Sequence, residues 1–132
     1  MRVALANAGR TPDQVDYICA HGPGHPVMDR AETAIIKSVL GPRAYQVPVS
    51  SIKGVTGNPL AASGPLQLIA CCLAFRNGII PPTANYEKED PACDLDYVAG
   101  QARRCQLTTA LINGHGLGGR NGSLVIERIG KP

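Results

Sequence analysis

The stretch that decides the fold is residues 49–58, which read Val49-Ser50-Ser51-Ile52-Lys53-Gly54-Val55-Thr56-Gly57-Asn58. An apolar run leads here into a lysine within a glycine-containing turn. The turn leads into a helical pattern that carries no charge up to residue 75. Upstream, Ala20-His21-Gly22 follows the same plan, with a histidine directly after an apolar run. The chain thus presents first a histidine and then a lysine, each after an apolar run, and both precede the long uncharged helical pattern.

Short apolar runs alternate with helical patterns along the whole chain. Strands are predicted over residues 15–20, 45–49, 94–98, 107–113 and 123–129, and helices over residues 1–8, 29–40 and about 58–76. Asp29 is the expected N-cap of the second helix, with Glu32 completing a capping box. The glycine-rich segment 114–122 should join the last two strands as a pair. This order predicts an α/β fold with a mixed sheet of about five strands and covering helices. No domain boundary is expected within residues 1–132.

Composition excludes several classes of function. The net charge is +3, and the basic residues are scattered, with one Phe and no Trp available for stacking on bases. This is too weak a footprint for nucleic-acid binding. The five cysteines are odd in number and contain no CxxC spacing, so neither a disulfide scaffold nor a zinc site is predicted.

No membrane segment or signal peptide is predicted. Residues 54–75 lack charge, but glycines and prolines interrupt them, and the continuous apolar run 66–75 is about half of a membrane span. We therefore expect a buried helix in a cytoplasmic protein, where a reducing environment suits free cysteines.

Several short motifs occur in a fixed order and together carry a family resemblance. They are Asp16-Tyr17-Ile18-Cys19-Ala20-His21-Gly22, Asp29 with Ala31-Glu32, Val49-Ser50-Ser51-Ile52-Lys53, Thr56-Gly57, Gly64, Pro81-Pro82-Thr83, Asp94-Leu95-Asp96-Tyr97-Val98 and Gly116-Leu117-Gly118-Gly119-Arg120-Asn121. In this order, over residues 15–128, the chain resembles the C-terminal part of the β-ketoacyl-acyl-carrier-protein synthases, or ketosynthases. The resemblance implies the C-terminal half of a thiolase-like fold, with the N-terminal half and its nucleophilic cysteine absent from this sequence.

The resemblance also implies roles for three residues. His21 matches the first histidine of the family, which donates a hydrogen bond to the substrate thioester. Lys53 matches the lysine that orders the site, and Glu32 matches the glutamate that partners this lysine. Structural alternatives stay open: His21 could simply end a strand, Glu32 could be a first-turn acid that interacts with the helix dipole, and Lys53 could be a solvated turn residue.

Asn58 stands where the family carries its second catalytic histidine, so it is a degenerate catalytic position. An asparagine amide can donate a hydrogen bond but cannot become cationic or transfer protons. Elongation is therefore expected to be slow or absent. Asn58 could alternatively serve only as a helix N-cap.

Substrate-binding positions also depart from the family. Pro23 and His25 replace two threonines that hold the phosphopantetheine arm. In the gating loop, Leu117 stands where the family has phenylalanine, and Gly118 and Gly119 follow it. His25 and His115 are candidate substitutes for the missing imidazole, while no ligand spacing supports a metal site. None of the five cysteines matches the nucleophile, so they are predicted to be small buried hydrophobes.

Three functions remain open from the sequence. The chain could be part of a ketosynthase that condenses acyl thioesters with malonyl-acyl-carrier protein, an acyltransferase active only with a cysteine-bearing half. It could instead be a non-catalytic partner similar to a chain-length factor, or a fragment with only an interaction role. No cofactor is expected to bind, since the substrates arrive on the phosphopantetheine of acyl carrier protein. Expected partners are the N-terminal ketosynthase half or subunit and the carrier protein, in a homo- or hetero-oligomer.

Overall fold

The computed structural model describes residues 1–130. Its α-helices are α1 (Arg2–Asn7), α2 (Pro26–Leu40), α3 (Lys53–Thr56) and α4 (Ser63–Asn77). Its strands are β1 (Tyr17–Cys19), β2 (Val49–Ser50), β3 (Ile79–Ile80), β4 (Arg103–Arg104), β5 (Thr109–His115) and β6 (Asn121–Glu127).

Four strands form the central sheet in the order β2-β1-β5-β6, and β3 and β4 form a separate antiparallel pair. Strand β1 runs parallel to both β2 and β5, whereas β5 and β6 pair antiparallel. The register places Ile18 opposite both Val49 and Leu111. The predicted α/β fold with a mixed sheet is confirmed, with four strands in the main sheet.

The sheet is covered on both faces because side chains alternate along β1. Ile18 points to the α2 side, where it packs in a cluster with Ile36 and Leu40. Tyr17 and Cys19 belong to the opposite cluster, which contains Cys71, Ala74 and Phe75 of α4. Burial on both sides explains why β1 and β5 read as nearly continuous apolar runs.

Two predicted strands are wrong or shortened. Of residues 45–49, only Val49 lies in a strand, the two-residue β2, and Tyr45 instead ends the 3-10 helix Gly41–Tyr45, which starts at a Gly-Pro pair. Residues 94–98 form no strand, although the Val49 N–H donates to the Asp96 carbonyl (2.8 Å). Val98 at φ 34° turns the backbone out of the extended conformation.

Helix boundaries also differ from the prediction. Helix α2 begins at Pro26 with His25 as its N-cap, so Asp29 lies in the first turn and the predicted capping box does not form. A proline suits the first helical position because its missing N–H would have no intrahelical partner there. The predicted turn at residues 54–57 is mostly the short helix α3. Helix α4 starts at Ser63, after the 3-10 helix Leu60–Ala62.

Within residues 1–130, every helix is too short or too polar to cross a membrane.

Candidate active site

The ends of the parallel strands bring the predicted site residues together. His21 follows β1 by two residues, Lys53 opens α3 after β2, and His115 is the last residue of β5. Because neighbouring parallel strands end at the same sheet edge, their connections converge there, as in other α/β sheets. His21, Glu32 and Lys53 are all less than a tenth exposed.

Glu32 on α2 is the fixed negative charge of the site. Its Oε1 accepts hydrogen bonds from the His21 N–H (2.9 Å) and from Asn113 Nδ2 (3.1 Å), while its Oε2 accepts one from the Gly22 N–H (2.9 Å). Burial would raise the pKa of this carboxyl, but His115 and these donors together lower it. Glu32 is therefore a buried carboxylate that holds the backbone after β1, and the first-turn alternative for it is wrong.

Lys53 contacts His21 instead of Glu32. Its ammonium donates to the His21 carbonyl oxygen, and its Nζ lies 3.2 Å from His21 Nδ1. Among the ion pairs of residues 1–130, none joins Lys53 to Glu32, so the direct pair implied by the resemblance does not form. The backbone N–H groups and Asn113 already occupy the carboxylate. The solvated alternative for Lys53 is also wrong, since the residue is buried.

The lysine contact determines the tautomer of His21. A lysine ammonium has donors and no acceptor, so the Nδ1 that faces it must present its lone pair. The proton of the neutral ring then lies on Nε2. Burial lowers the pKa of His21, and Lys53 lowers it further. His21 is thus a neutral imidazole with one N–H donor.

His115 joins the site from the end of β5, where it contacts both His21 and Glu32. Its ring meets the ring of His21 edge-on, with centroids 5.1 Å apart and planes at 83°. Its Nδ1 lies 2.7 Å from Asn121 Oδ1, and its Nε2 lies 3.7 Å from Glu32 Oε1. The latter distance is too long for a hydrogen bond and describes a charge contact. The contact with Glu32 raises the pKa of His115 against the opposing effect of burial, and Asn121 raises it further.

A cavity of about 520 Å³ lies beside the carboxylate and the lysine. It is bounded by the loop after β1, the start of α2 and residues 83–97. Pro23 lines it together with Gly22, Glu32 and Lys53. Among the predicted substrate-binding positions, Pro23 therefore faces an opening large enough for an extended small group.

The other predicted positions lie outside this cluster. Asn58 is exposed and precedes the 3-10 helix, so its alternative role as the N-cap of α4 is wrong. His25 is exposed at the start of α2 and makes no side-chain capping bond. Leu117 is 95% exposed, in a loop where Gly118 and Gly119 both have φ above 70°.

Three site residues were missed or only noted in passing by sequence reasoning. Asn113, His115 and Asn121 flank the glycine-rich loop, and the predicted pairing of the last two strands could have placed His115 near Asn121, but not near His21. Their register puts His115 opposite Asn121. Among residues 1–130, no cluster of three or more metal-ligating side chains occurs.

The cysteines have mixed environments. Cys19 and Cys71 are fully buried, as predicted, whereas Cys72 is exposed on α4 and Cys93 and Cys105 are partly exposed.

Comparison with known proteins identifies the family. Residues 1–87 match the profile described as Beta-ketoacyl synthase, C-terminal domain. The chain is 54% identical over 125 residues to the tetracenomycin polyketide synthase ketoacyl synthase alpha subunit of Streptomyces glaucescens, covering 95% of this chain and 29% of that protein. It is 43% identical over 129 residues to 3-oxoacyl-[acyl-carrier-protein] synthase 2 of Coxiella burnetii, covering 98% of this chain and 31% of that protein.

Solved structures agree with the sequence relatives. One solved structure is a type II polyketide synthase acyl-carrier protein in complex with its ketosynthase bound to the hexaketide. A chain of that structure superposes on this one with a TM-score of 0.95 at 36% identity, over 98% of this chain and 32% of that one. The ishigamide ketosynthase/chain length factor gives a TM-score of 0.93 at 34% identity, over 98% and 32%. This chain thus spans about three tenths of the length of its relatives. It has the thiolase-like fold of the C-terminal region of those proteins, and it belongs to the β-ketoacyl synthase family.

Proposed function

We propose that this chain supplies the decarboxylation and enolate-stabilising half of a β-ketoacyl-acyl-carrier-protein synthase in fatty-acid or polyketide biosynthesis. The observation that carries the proposal is the contact of Lys53 with Nδ1 of His21, at 3.2 Å, which leaves Nε2 as an N–H donor. Decarboxylation of a malonyl thioester breaks a C–C bond, releases carbon dioxide and leaves the bonding electron pair in an enolate. A fixed N–H donor at the thioester oxygen stabilises the charge that develops there.

The acyl-accepting cysteine is proposed to come from a separate or preceding ketosynthase half, because none of the five cysteines here matches the family nucleophile. An unpartnered face of α4 supports such a partner. The exposed apolar side chains of this helix, Leu68, Ile69 and Leu73, share one side of it. Acyl carrier protein is the proposed substrate carrier, supported by the carrier protein in the related complex and by the net charge of +3.

Asn58 makes weak elongation the expected state of the enzyme. Removing an oxyanion donor costs about 2.7–4 kcal/mol in the transition state, and the amide of Asn58 can neither become cationic nor transfer protons. The exposed Asn58 makes no side-chain hydrogen bond within residues 1–130, so a replacement there should leave the fold unchanged.

The test is to assay malonyl-carrier-protein decarboxylation and condensation in the complete protein or complex that contains this chain. Asn58→His should raise the condensation rate by about 100-fold or more if an imidazole is what the position lacks. Release of carbon dioxide that does not depend on His21 would contradict the proposal.

A second candidate is a non-catalytic partner subunit similar to a chain-length factor. The observations that favour it are Asn58, the loss of both hydroxyls at Pro23 and His25, and the similarity to the ishigamide ketosynthase/chain length factor. In that case the native complex would contain a second ketosynthase subunit, and His21→Ala in this chain would leave condensation unchanged.

A further inference from the structure

Two imidazoles lie side by side in the site, and their hydrogen bonds place their protons differently. His21 faces an ammonium through Nδ1, at 3.2 Å from Lys53 Nζ. His115 faces an amide oxygen through Nδ1 and a carboxylate oxygen through Nε2. The two rings therefore have opposite preferences for a second proton, a difference typical of acid and base pairs in active sites.

The orientation of Asn121 fixes the first proton of His115. Asn121 Nδ2 lies 3.3 Å from the Gly119 carbonyl oxygen, to which it donates, so the amide oxygen faces His115. Nδ1 of His115 must then be an N–H donor. The neutral ring would present its Nε2 lone pair to a carboxylate.

The donors around Glu32, Asn113 among them, favour its ionised form. Asn113 Nδ2 donates to Glu32 Oε1, while Asn113 Oδ1 accepts from Ser123 Oγ (3.0 Å). Two backbone N–H groups complete the donors on Glu32. Nε2 of His115 is buried, has no hydrogen-bond partner and lies 3.7 Å from Glu32 Oε1. In the neutral ring, the lone pair of His115 Nε2 would face the negative oxygen of Glu32. A second proton on Nε2 replaces this repulsion with an ion pair between the imidazolium and the carboxylate.

We propose that His115 is a positioning residue that carries the cationic imidazole of this site, paired with Glu32 and set edge-on against His21. This inference rests on the proposed function for its effect on catalysis. The cation opposes protonation of His21 and so preserves its Nε2–H tautomer. It also places a positive charge beside the oxygen on which negative charge develops when carbon dioxide leaves. His115 thereby supplies electrostatic stabilisation that the exposed Asn58 does not.

The groups that face His115 from each packed element are few. They are Glu32 from α2, His21 after β1, Lys53 from α3 and the neutral Asn121 from β6. Glu32 favours the charged ring, whereas Lys53 and burial oppose it, and the pKa of His115 is raised on balance. The rate should therefore fall on the alkaline side as His115 loses its second proton.

The first arm of the test measures malonyl decarboxylation against pH in the complete protein that contains this chain. His115→Gln, which keeps an N–H donor for Asn121 without a charge, should lower the rate about 10- to 100-fold, the order of effect that a neighbouring unit charge has in a partly buried site. It should also remove the alkaline decline. Asn121→Asp should move that decline to higher pH because a carboxylate stabilises the cation. Arg104→Gln, on exposed β4, is the control expected to match the wild type.

The second arm measures the protonation of His115 directly and does not require decarboxylation activity. Histidine-selective isotope labelling and NMR titration of the same protein should show His115 titrating at a higher pH than His21, with the His115 signal assigned by its loss in His115→Gln. If His115 titrates below His21, or if His115→Gln and Asn121→Asp keep the wild-type rate profile, the inference is wrong. If no variant and no wild type releases carbon dioxide while His115 still titrates higher, the proposed function fails and the proton placement stands.

Discussion

Lys53 Nζ lies 3.2 Å from His21 Nδ1 and also donates to the carbonyl oxygen of the same residue. One ammonium therefore holds both the backbone and the ring of His21. Because the ammonium can only donate, the contact selects the tautomer of the ring as well as its position. Neither a neutral donor nor a more distant positive charge can therefore replace Lys53.

Lys53→Met is expected to lower malonyl decarboxylation by about 100-fold or more, since the wrong histidine tautomer removes the donor. The pKa of His21 should rise toward its ordinary value because one of the causes that lower it is removed. The pH dependence of the rate and the NMR titration of His21 measure both effects.

Lys37→Met is the matched control for this change. Lys37 forms a surface ion pair with Asp94, and such pairs contribute little. Equal rates for the two variants would show that Lys53 has no specific role.

Glu32→Gln is expected to destabilise the intact protein by about 2–3 kcal/mol, because an amide cannot accept from all the donors that surround this buried carboxylate. The pKa of Glu32 is lowered on folding, so its contribution is present above the unfolded pKa of about 4.5 and is lost as the pH falls through the folded value. Urea unfolding at several pH values checks this. The variant should lack that acid-dependent component, and an unchanged slope would contradict the assignment.

Much of the fold could be predicted from the sequence because the patterns there are local. The apolar runs of β1, β5 and β6 and the helical periodicity of α2 each need no distant information. The segment at 94–98 could not be placed in this way. It has the residues of a strand, but Val98 leaves the extended conformation after a single strand-like hydrogen bond to Val49.

The site was only partly predictable for a similar reason. His21, Glu32 and Lys53 stand in recognisable motifs, whereas the roles of Asn113 and His115 depend on the parallel pairing of β1 with β5. That pairing joins residues about ninety positions apart, and no local pattern specifies it. The Lys53–Glu32 pair was wrong because the backbone N–H groups of His21 and Gly22 compete for the same carboxylate.

Gly54→Ala is expected to destabilise the intact protein by about 1–3 kcal/mol through overpacking. A Cβ at this position would lie 2.4 Å from the carbonyl oxygen of Ala84, a backbone atom that cannot swing aside. The clash would push residues 83–85 away from α3 and enlarge the cavity beside Lys53. Thermal unfolding measures the loss of stability, and the decarboxylation rate measures the effect on the site.

Gly64→Ala is the control, because a Cβ there meets nothing within 4 Å and the position is helical. It should stabilise the protein by up to about 1 kcal/mol. Equal losses at both positions would contradict the close approach at Gly54.

Ile69→Lys is expected to weaken association of this chain with the proposed cysteine-bearing ketosynthase half. Ile69 is 55% exposed on α4 between Leu68 and Leu73, an apolar stripe that a partner surface would cover. Size-exclusion chromatography with light scattering measures the effect. Val3→Lys on α1 makes the same chemical change at an exposed position (73%) and should leave association unchanged. If both variants assemble like the wild type, α4 is not the contact face.

The position of β5 between β1 and β6 has a consequence for folding during synthesis. The helix with Glu32 and the short helix α3 with Lys53 leave the ribosome well before residues 109–127, yet Asn113 and His115 arrive only with that last hairpin. Domains generally form as their chain emerges, and long-range strand pairing is slow. Until the hairpin inserts, the Glu32 carboxylate lacks two of its neighbours and β1 has an open edge. A nascent chain stalled before residue 109 would therefore expose an unpaired strand edge that chaperones bind, and full protection of the His21 amide from hydrogen exchange would appear only after the hairpin docks.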